Sequence, residues 1–509
     1  MSAPLEHIHM RKTTTSHNSL EKSSAFEYAQ THRAPSSPEW TVFTVDWDVE
    51  SLLKQLQIRS AGQSNARFVW KAPDSNTSKG EEFVALGRYQ ALKATGERRF
   101  HDLAQAERSL LGKTHFIDLR SNRQPSVPFI VGGAAFHQFN IDPTWSAFGS
   151  SQFILPRLLV GTDSNGQGYL RFILPSEEAT TWLGHGQSTH SSHSHVFLQE
   201  KLEDVLKSEG VDTNKSSTLP YFHLDPVSLA HRLQTAASQH KKAWIARFQR
   251  AIEVIQQNPI AKVVLARQAA VHGVTMEQRA NLQESLKQRY QNCIHFCVEP
   301  TSAAGFFGAT PERLLRLQGR HLRIDALAGS RSRGTTTHED QTLAHDLLHA
   351  EKDAMEHDIV KRQILEVLEP ISKQLRYPSA PLLKTLPNVQ HLHTPIEAEL
   401  EHSPSVFELI EQLHPTPAVG GYPKHDALGV IEQIEPQNRG WYAGIVGWVS
   451  EQGDADMAVS IRSASHMKDA LTLYAGCGLV EGSIPEQEWE ETYVKLAPFF
   501  EAAQDVAHA

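Results

Sequence analysis

Three cysteines in 509 residues are too few for a disulfide framework. Cys293 and Cys297 lie in the apolar run NCIHFCVEP and Cys477 in AGCGLV, with no second Cys or His pair at zinc spacing beside them. They read as buried free thiols, which fits a reducing cytoplasm. No run approaches the roughly 18 apolar residues of a membrane-spanning helix. The N-terminus, MSAPLEHIHMRKTTTSHNSLEKSS, lacks the apolar centre of a secretory signal. Its Ser/Thr-rich, acid-poor start leaves an organelle transit peptide as the alternative. An excess of positive charge is missing too: 49 Lys and Arg against 58 Asp and Glu give −9. That argues against nucleic-acid binding, which needs a basic face, and against a polybasic membrane anchor. Neither GxGxxG nor GxxxxGK[ST] occurs, and no repeat of fixed period, which counts against dinucleotide and P-loop enzymes.

What remains has the balance of a soluble globular enzyme, 40% hydrophobic and 21% charged. Residues 1–38 are polar and read as a flexible arm. Residues 39–232 carry strand patterns, among them TVFTVDWDV, ARFVWKA, EFVALG, PFIVGGAAF, SQFILPRLLVG and YLRFILP. A helix is expected over 91–113, and a helix followed by a polar loop over 201–218. The segment HGQSTHSSHSH (185–195) reads as a solvated loop, because nothing rigid fixes its histidines as ligands. Residues 233–505 are more regular. A long helix is expected over 227–258, then the strands KVVLARQAAV, HFCVEP, AGFFGATPERLLRLQG and HLRIDALAG. Helix follows over 338–375, and VFELIEQLHP is a short helix stopped by Pro415 and Pro417. WYAGIVGWVS, DMAVSIRSASHM and ALTLYAGCGLV read as three strands before a closing helix. Many antiparallel strands with helices between groups of them indicate an α+β fold.

Several polar residues interrupt apolar segments. Lys262 opens KVVLAR and shares a strand face with Val264 and Ala266. Turned inward it would lose solvation, which suits a base; turned outward it is an edge lysine. Glu312 follows FFGATP, where a strand-to-turn transition could aim an acid into a cavity. Glu356 and His357 lie in the helix AEKDAMEHDIVKRQILEVL, and Asp353 and His357 are spaced to pair on its surface. Glu488 and Glu491 are three apart in EWEETYVKL, with Lys495 four further on. Carboxylates on two helices suit a hard cation such as Mg²⁺, although a solvated face has the same pattern. Arg462, inside VSIRSA, reads as a mid-strand arginine that meets an anion or a buried acid. Gly476 and Gly478 permit close backbone approach, or mark a bulge.

In chain order, KVVLAR, FFGATPERL, LAGSRSRG, EKDAMEHDIV, HLHTP, LHPTPAVGGYP, YAGIVGW, VSIRSA, AGCGLVEGS and EWEETYVKL resemble the chorismate-utilising enzymes. The match spans about residues 255–500, with a looser echo in FVALG, FIVGGAAF and SAFGSSQFILPRLLV. The resemblance implies one α+β domain, two large antiparallel sheets around a core, an active site between them, and dependence on Mg²⁺ and chorismate. A lysine at the position of Lys262 marks members that add water at C2. Aminodeoxychorismate synthases carry a lysine where this chain has Ala328. The chain therefore looks like an isochorismate synthase or a salicylate synthase. Of the four positions that separate those two, Ser330, Ala418 and Ile461 favour the former, and Tyr442 the latter.

The roles that the resemblance implies are these. Lys262 takes a proton from water, and Glu312 protonates the departing C4 hydroxyl. Glu356 and Glu491 hold Mg²⁺, with Glu488 acting through water. Arg462, Lys495, Tyr442 and the amides near Gly476 and Gly478 hold the substrate carboxylates, and His391 lies near the ring. A monomer or homodimer in the cytoplasm is expected. A scaffold that has lost catalysis would not keep Lys262, Glu312, Glu356 and Glu491 together, and the motif order does not support a metal-dependent hydrolase.

Overall fold

The computed structural model describes residues 7–10, 38–46, 49–50, 52–53, 56, 66–73, 80–118, 120–122, 125–138, 142–179, 200, 203–208, 226–386 and 389–505. Two large sheets, of 11 and 12 strands, dominate it. The first runs His7–Met10, Ser372–Tyr377, Val389–Leu400, His321–Ser332, Arg313–Gln318, Ala455–Val459, Ile445–Val449, Ile130–Ala134, Ser151–Leu155, Gln90–Lys93. Leu382–Thr385 pairs with Val389–Leu400 beside that path. The second runs Gly421–Tyr422, Lys262–Val271, Ala470–Leu479, Ser463–Met467, Ala304–Thr310, Ile294–Thr301, Arg67–Ala72, Glu81–Leu86, Leu158–Thr162, Gly168–Pro175, Trp40–Asp46, Thr114–Asp118. Among the described residues the pairings are antiparallel, except Trp40–Asp46 with Thr114–Asp118. The segments either side of residue 232 contribute strands to both sheets and so are interleaved halves of one fold.

Strands such as AGFFGAT are buried along their whole length because both faces of their sheet are covered. Phe306 points into an apolar core that joins the two sheets, with Val131, Phe153, Leu265 and Ile445. Its neighbour Phe307 points the other way, into a second core with Phe499 from the C-terminal helix Pro485–Asp505. Each buried phenylalanine contributes on the order of 2 kcal/mol over an exposed one. The three cysteines are free and buried.

The local departures from expectation have physical causes. Residues 90–93 pair with Ser151–Leu155 as a strand, and the helix starts only at Arg99, after Gly96 takes a φ of 79°. The helix expected over 227–258 is two, Pro226–Ser238 and Lys241–Gln257, broken where His240 adopts a left-handed φ of 66°. The one expected over 338–375 breaks at Ala350 into Thr337–His349 and Glu351–Leu368, and ends in a short 3₁₀ turn that contains Pro370. Residues 372–377 are then strand. Of the arm, His7–Met10 pairs with Ser372–Tyr377, so that piece is bonded to a sheet edge rather than free. The rest of the arm before Pro38, the histidine-rich segment and most of the helix and loop expected over 201–218 lie outside the described residues.

One departure shapes the site. DMAVSIRSASHM is not one strand. Ala455–Val459 belongs to the first sheet and Ser463–Met467 to the second, and Arg462 sits in the crossing with a φ of 49°. Glu312 sits in the neighbouring crossing, between Ala304–Thr310 and Arg313–Gln318. The two crossings are laced together. Val459 N donates to Glu312 O at 3.0 Å, Ala309 N to Arg462 O at 3.1 Å, and Thr310 Oγ1 to Val459 O at 2.7 Å.

Candidate active site

A cavity of about 530 Å³ of empty space, its mouth included, opens where the crossings meet the start of Lys262–Val271. Its wall contains Lys262, Glu312, Ser330, Glu356, His391, Ala418, Ile461, Arg462, Gly478, Glu491 and Lys495, together with Pro311, Leu327, Ala328 and Gly329. Tyr442, Gly476 and Glu488 lie outside that lining. Gly476 offers its carbonyl to Lys495 Nζ at 2.9 Å, and a Cβ there would lie 3.1 Å from the Tyr442 hydroxyl. Tyr442 stacks on Tyr474 with centroids 5.2 Å apart, a neighbour that the sequence reading did not single out.

Lys262 is no edge lysine: it is 1% exposed, and its Nζ donates to Glu356 Oε1 at 2.7 Å. Gly478 makes that contact possible. It lies in an unbroken ladder opposite Val264, and a Cβ there would come within 2.6 Å of Lys262 Cε and 2.8 Å of Glu356 Oε1. The close approach permitted is therefore by these two side chains, and no bulge occurs.

Glu312 is buried, and burial pushes its carboxyl up to about 7, against the opposing pull of Lys262, Lys384, Arg462 and Lys495. An acid that is half protonated near neutrality suits proton donation. His391 is driven down to about 3, first by burial and then by Arg462 and Lys495, so it is neutral at working pH. Its Nδ1 lies 2.9 Å from Ser330 Oγ. Arg462 pairs with no carboxylate among the described residues, although burial weighs against its charge. A cation left free on a cavity wall is a ready partner for an anion.

The carboxylates form three lysine pairs: Glu356 with Lys262, Glu488 with Lys352 at 2.7 Å, and Glu491 with Lys495 at 2.6 Å. Among the described residues no three His, Cys, Asp or Glu side chains are grouped as a metal cage. The donors are nevertheless hard oxygens, and Glu356 and Glu491 open on the same cavity. Burial and then Glu491 raise the proton affinity of Glu488 despite Lys352, whereas Lys262, Lys495 and Lys352 hold Glu356 below its ordinary value against burial. That donor chemistry fits a divalent cation. Asp353 and His357, expected to pair on the surface, do not: Asp353 takes Arg331 at 2.7 Å, and His357 meets Thr394 at 2.8 Å inside the fold. The sequence reading missed Lys352 and Lys384. Lys352 was findable, four residues before Glu356 on one helix; Lys384 falls in a segment with a strand pattern, but no local signal marks its partners Pro311 and Asp325.

Comparisons with known proteins identify the family. The family model described as chorismate binding enzyme matches residues 25–504. Isochorismate synthase MenF of Bacillus subtilis is 30% identical, over 92% of this chain and 95% of its own. The salicylate biosynthesis isochorismate synthase of Pseudomonas aeruginosa is 41% identical over 52% of this chain and 56% of its own. The solved structure of MenF, the menaquinone-specific isochorismate synthase from Escherichia coli, superposes with a TM-score of 0.70 at 26% identity, covering 94% and 97% of the two chains. Anthranilate synthase component I from Streptococcus pneumoniae, at 18% identity and a TM-score of 0.60, shares the fold. With two antiparallel sheets, a cavity at their crossings and a family match across nearly the whole length, the chain belongs to the chorismate-binding enzymes.

Proposed function

We propose that the protein converts chorismate to isochorismate. The observation that carries this reading is that Lys262, Glu312 and the unpaired Arg462 line one cavity. Chorismate is a dianion, and Arg462 and Lys495 are the cations placed to take its carboxylates. Lys262, acting as the neutral amine, accepts at Nζ a proton from the water that adds at ring C2. The ring double bonds shift, the C4–O bond breaks, and Glu312 gives its proton to the departing hydroxide, which leaves as water. Water enters and water leaves, so the net change is an isomerisation. Glu312 is suited to its part because burial keeps it protonated up to about pH 7. Neutral His391, fixed through Ser330, presents an uncharged face to the ring.

Glu356 and Glu491, with Glu488, would hold Mg²⁺. When bound, that ion supplies Lewis-acid polarisation of a substrate carboxylate. No described helix is long and apolar enough to cross a membrane, and the unbridged thiols support a reducing compartment. Incubation with chorismate and Mg²⁺, followed by chromatography, tests the reading. Isochorismate as sole product is expected. No turnover refutes it, and salicylate with pyruvate would show that elimination follows.

A further inference from the structure

Resting on that reading, we propose that Lys384 is a positioning residue, which fixes the Pro311–Glu312 peptide and so aims the Glu312 carboxyl into the cavity. Lys384 lies on the edge strand Leu382–Thr385, opposite His391 in register. Its Nζ donates to Pro311 O at 3.0 Å and to Asp325 Oδ2 at 3.2 Å. Asp325 is held in turn by His393, whose Nε2 lies 2.8 Å from Oδ1. Burial alone would raise the Asp325 carboxyl, but His393 and Lys384 keep it well below its ordinary value. The chain Pro311–Lys384–Asp325–His393 thus reaches from the turn that carries the acid into two strands of the first sheet.

The turn has three polar tethers. Glu312 N donates to Thr310 Oγ1 at 3.2 Å, and Glu312 O accepts from Val459 N at 3.0 Å. Both come from the sheet crossings. The third, on the Pro311 carbonyl, comes from Lys384. That carbonyl belongs to the same peptide plane as Glu312 N, so releasing it lets the plane rotate and turns the side chain with it. A small misalignment of a reacting group is costly in rate.

Charge gives a second handle. The charged groups that act on Glu312 are Lys262, Lys384, Arg462 and Lys495, with Asp325, His393 and Arg313 behind Lys384. The Lys384 side chain is 26% exposed, so its charge is partly screened. Removing it leaves burial less opposed, and Glu312 then keeps its proton to higher pH.

Lys384→Met keeps length and loses both handles; Lys384→Arg keeps the charge and a donor. In Lys384→Met we expect kcat to fall on the order of 10-fold with KM within about twofold. The alkaline limb of kcat should move up by roughly 0.3–1 pH unit. Lys384→Arg should restore the limb and most of kcat. Glu312 ionisation is also readable without substrate, as the pH midpoint of the Tm difference between each protein and its Glu312→Gln counterpart. That midpoint should rise in Lys384→Met and return in Lys384→Arg whether or not chorismate is turned over, so the inference stands or falls apart from the functional reading. An unmoved midpoint overturns it. So does loss of kcat that merely tracks a lower Tm, or a raised KM with kcat intact, which would make Lys384 a substrate contact.

Discussion

Glu312→Gln should damage catalysis and stabilise the fold, and by a calculable amount. Burial holds the carboxyl near 7 against an ordinary 4.5. That gap of about 2.5 pH units corresponds to about 3 kcal/mol at 1.36 kcal/mol per unit. The folded value is the raised one, so the native state prefers the protonated acid. Its contribution to stability is complete below about pH 4.5, declines as the pH rises, and is lost above about 7. Glutamine has the shape of the protonated acid and no charge at any pH. Wild type and variant should therefore unfold alike near pH 4.5, and the variant should be the more stable at pH 8.5. Unfolding entropies of about 2.1 cal/mol/K per residue convert about 3 kcal/mol into roughly 3 °C for a chain of this length. Paired calorimetric scans at several pH values give the curve. Meanwhile kcat should fall on the order of 10²-fold or more, with wild-type kcat declining above about pH 7. A Tm difference that does not change with pH, or a variant that keeps its rate, would refute the reasoning.

Lys262→Arg keeps the charge but cannot deprotonate water usefully, so kcat should collapse with little change in KM; a near-wild-type rate would make Lys262 a mere counter-ion. Glu491→Gln removes a carboxylate from the proposed cation site, so activity should vanish together with the rise in Tm that Mg²⁺ gives the wild type. Full turnover of the wild type in EDTA would remove the metal from the mechanism.

The gross architecture was legible because strands buried on both faces leave continuous apolar runs, and because the motifs kept their order. Glu312 could be placed at a strand-to-turn transition from FFGATP alone. Lys262 could be placed on a strand face, but its inward direction depends on Gly478, 216 positions away, having no Cβ to exclude it. Arg462 was expected inside a strand, since VSIRSA has no glycine or proline to announce a break; the left-handed turn is imposed by the passage between sheets. The break at His240 was hidden for the same reason. Lys384 acts through partners far along the chain, and spacing carries no information about them; spacing puts Lys352 on the helix of Glu356 but does not reveal its pairing with Glu488. The lysine partner of each carboxylate belongs to this class, apart from Lys495 with Glu491.

The laced crossings give the molecule a rivet. Glu312 and Arg462 belong to neither sheet and are bonded to each other's strands, so they move as one piece. Lys262 belongs to the second sheet alone. Slack between the sheets therefore changes the span from Lys262 to Glu312 while leaving Glu312 and Arg462 in register. Loosening the intersheet core around Phe306 and Ile445 would cost turnover before it cost affinity. On the proposed mechanism, packing far from the cavity guards the distance between Lys262 and Glu312.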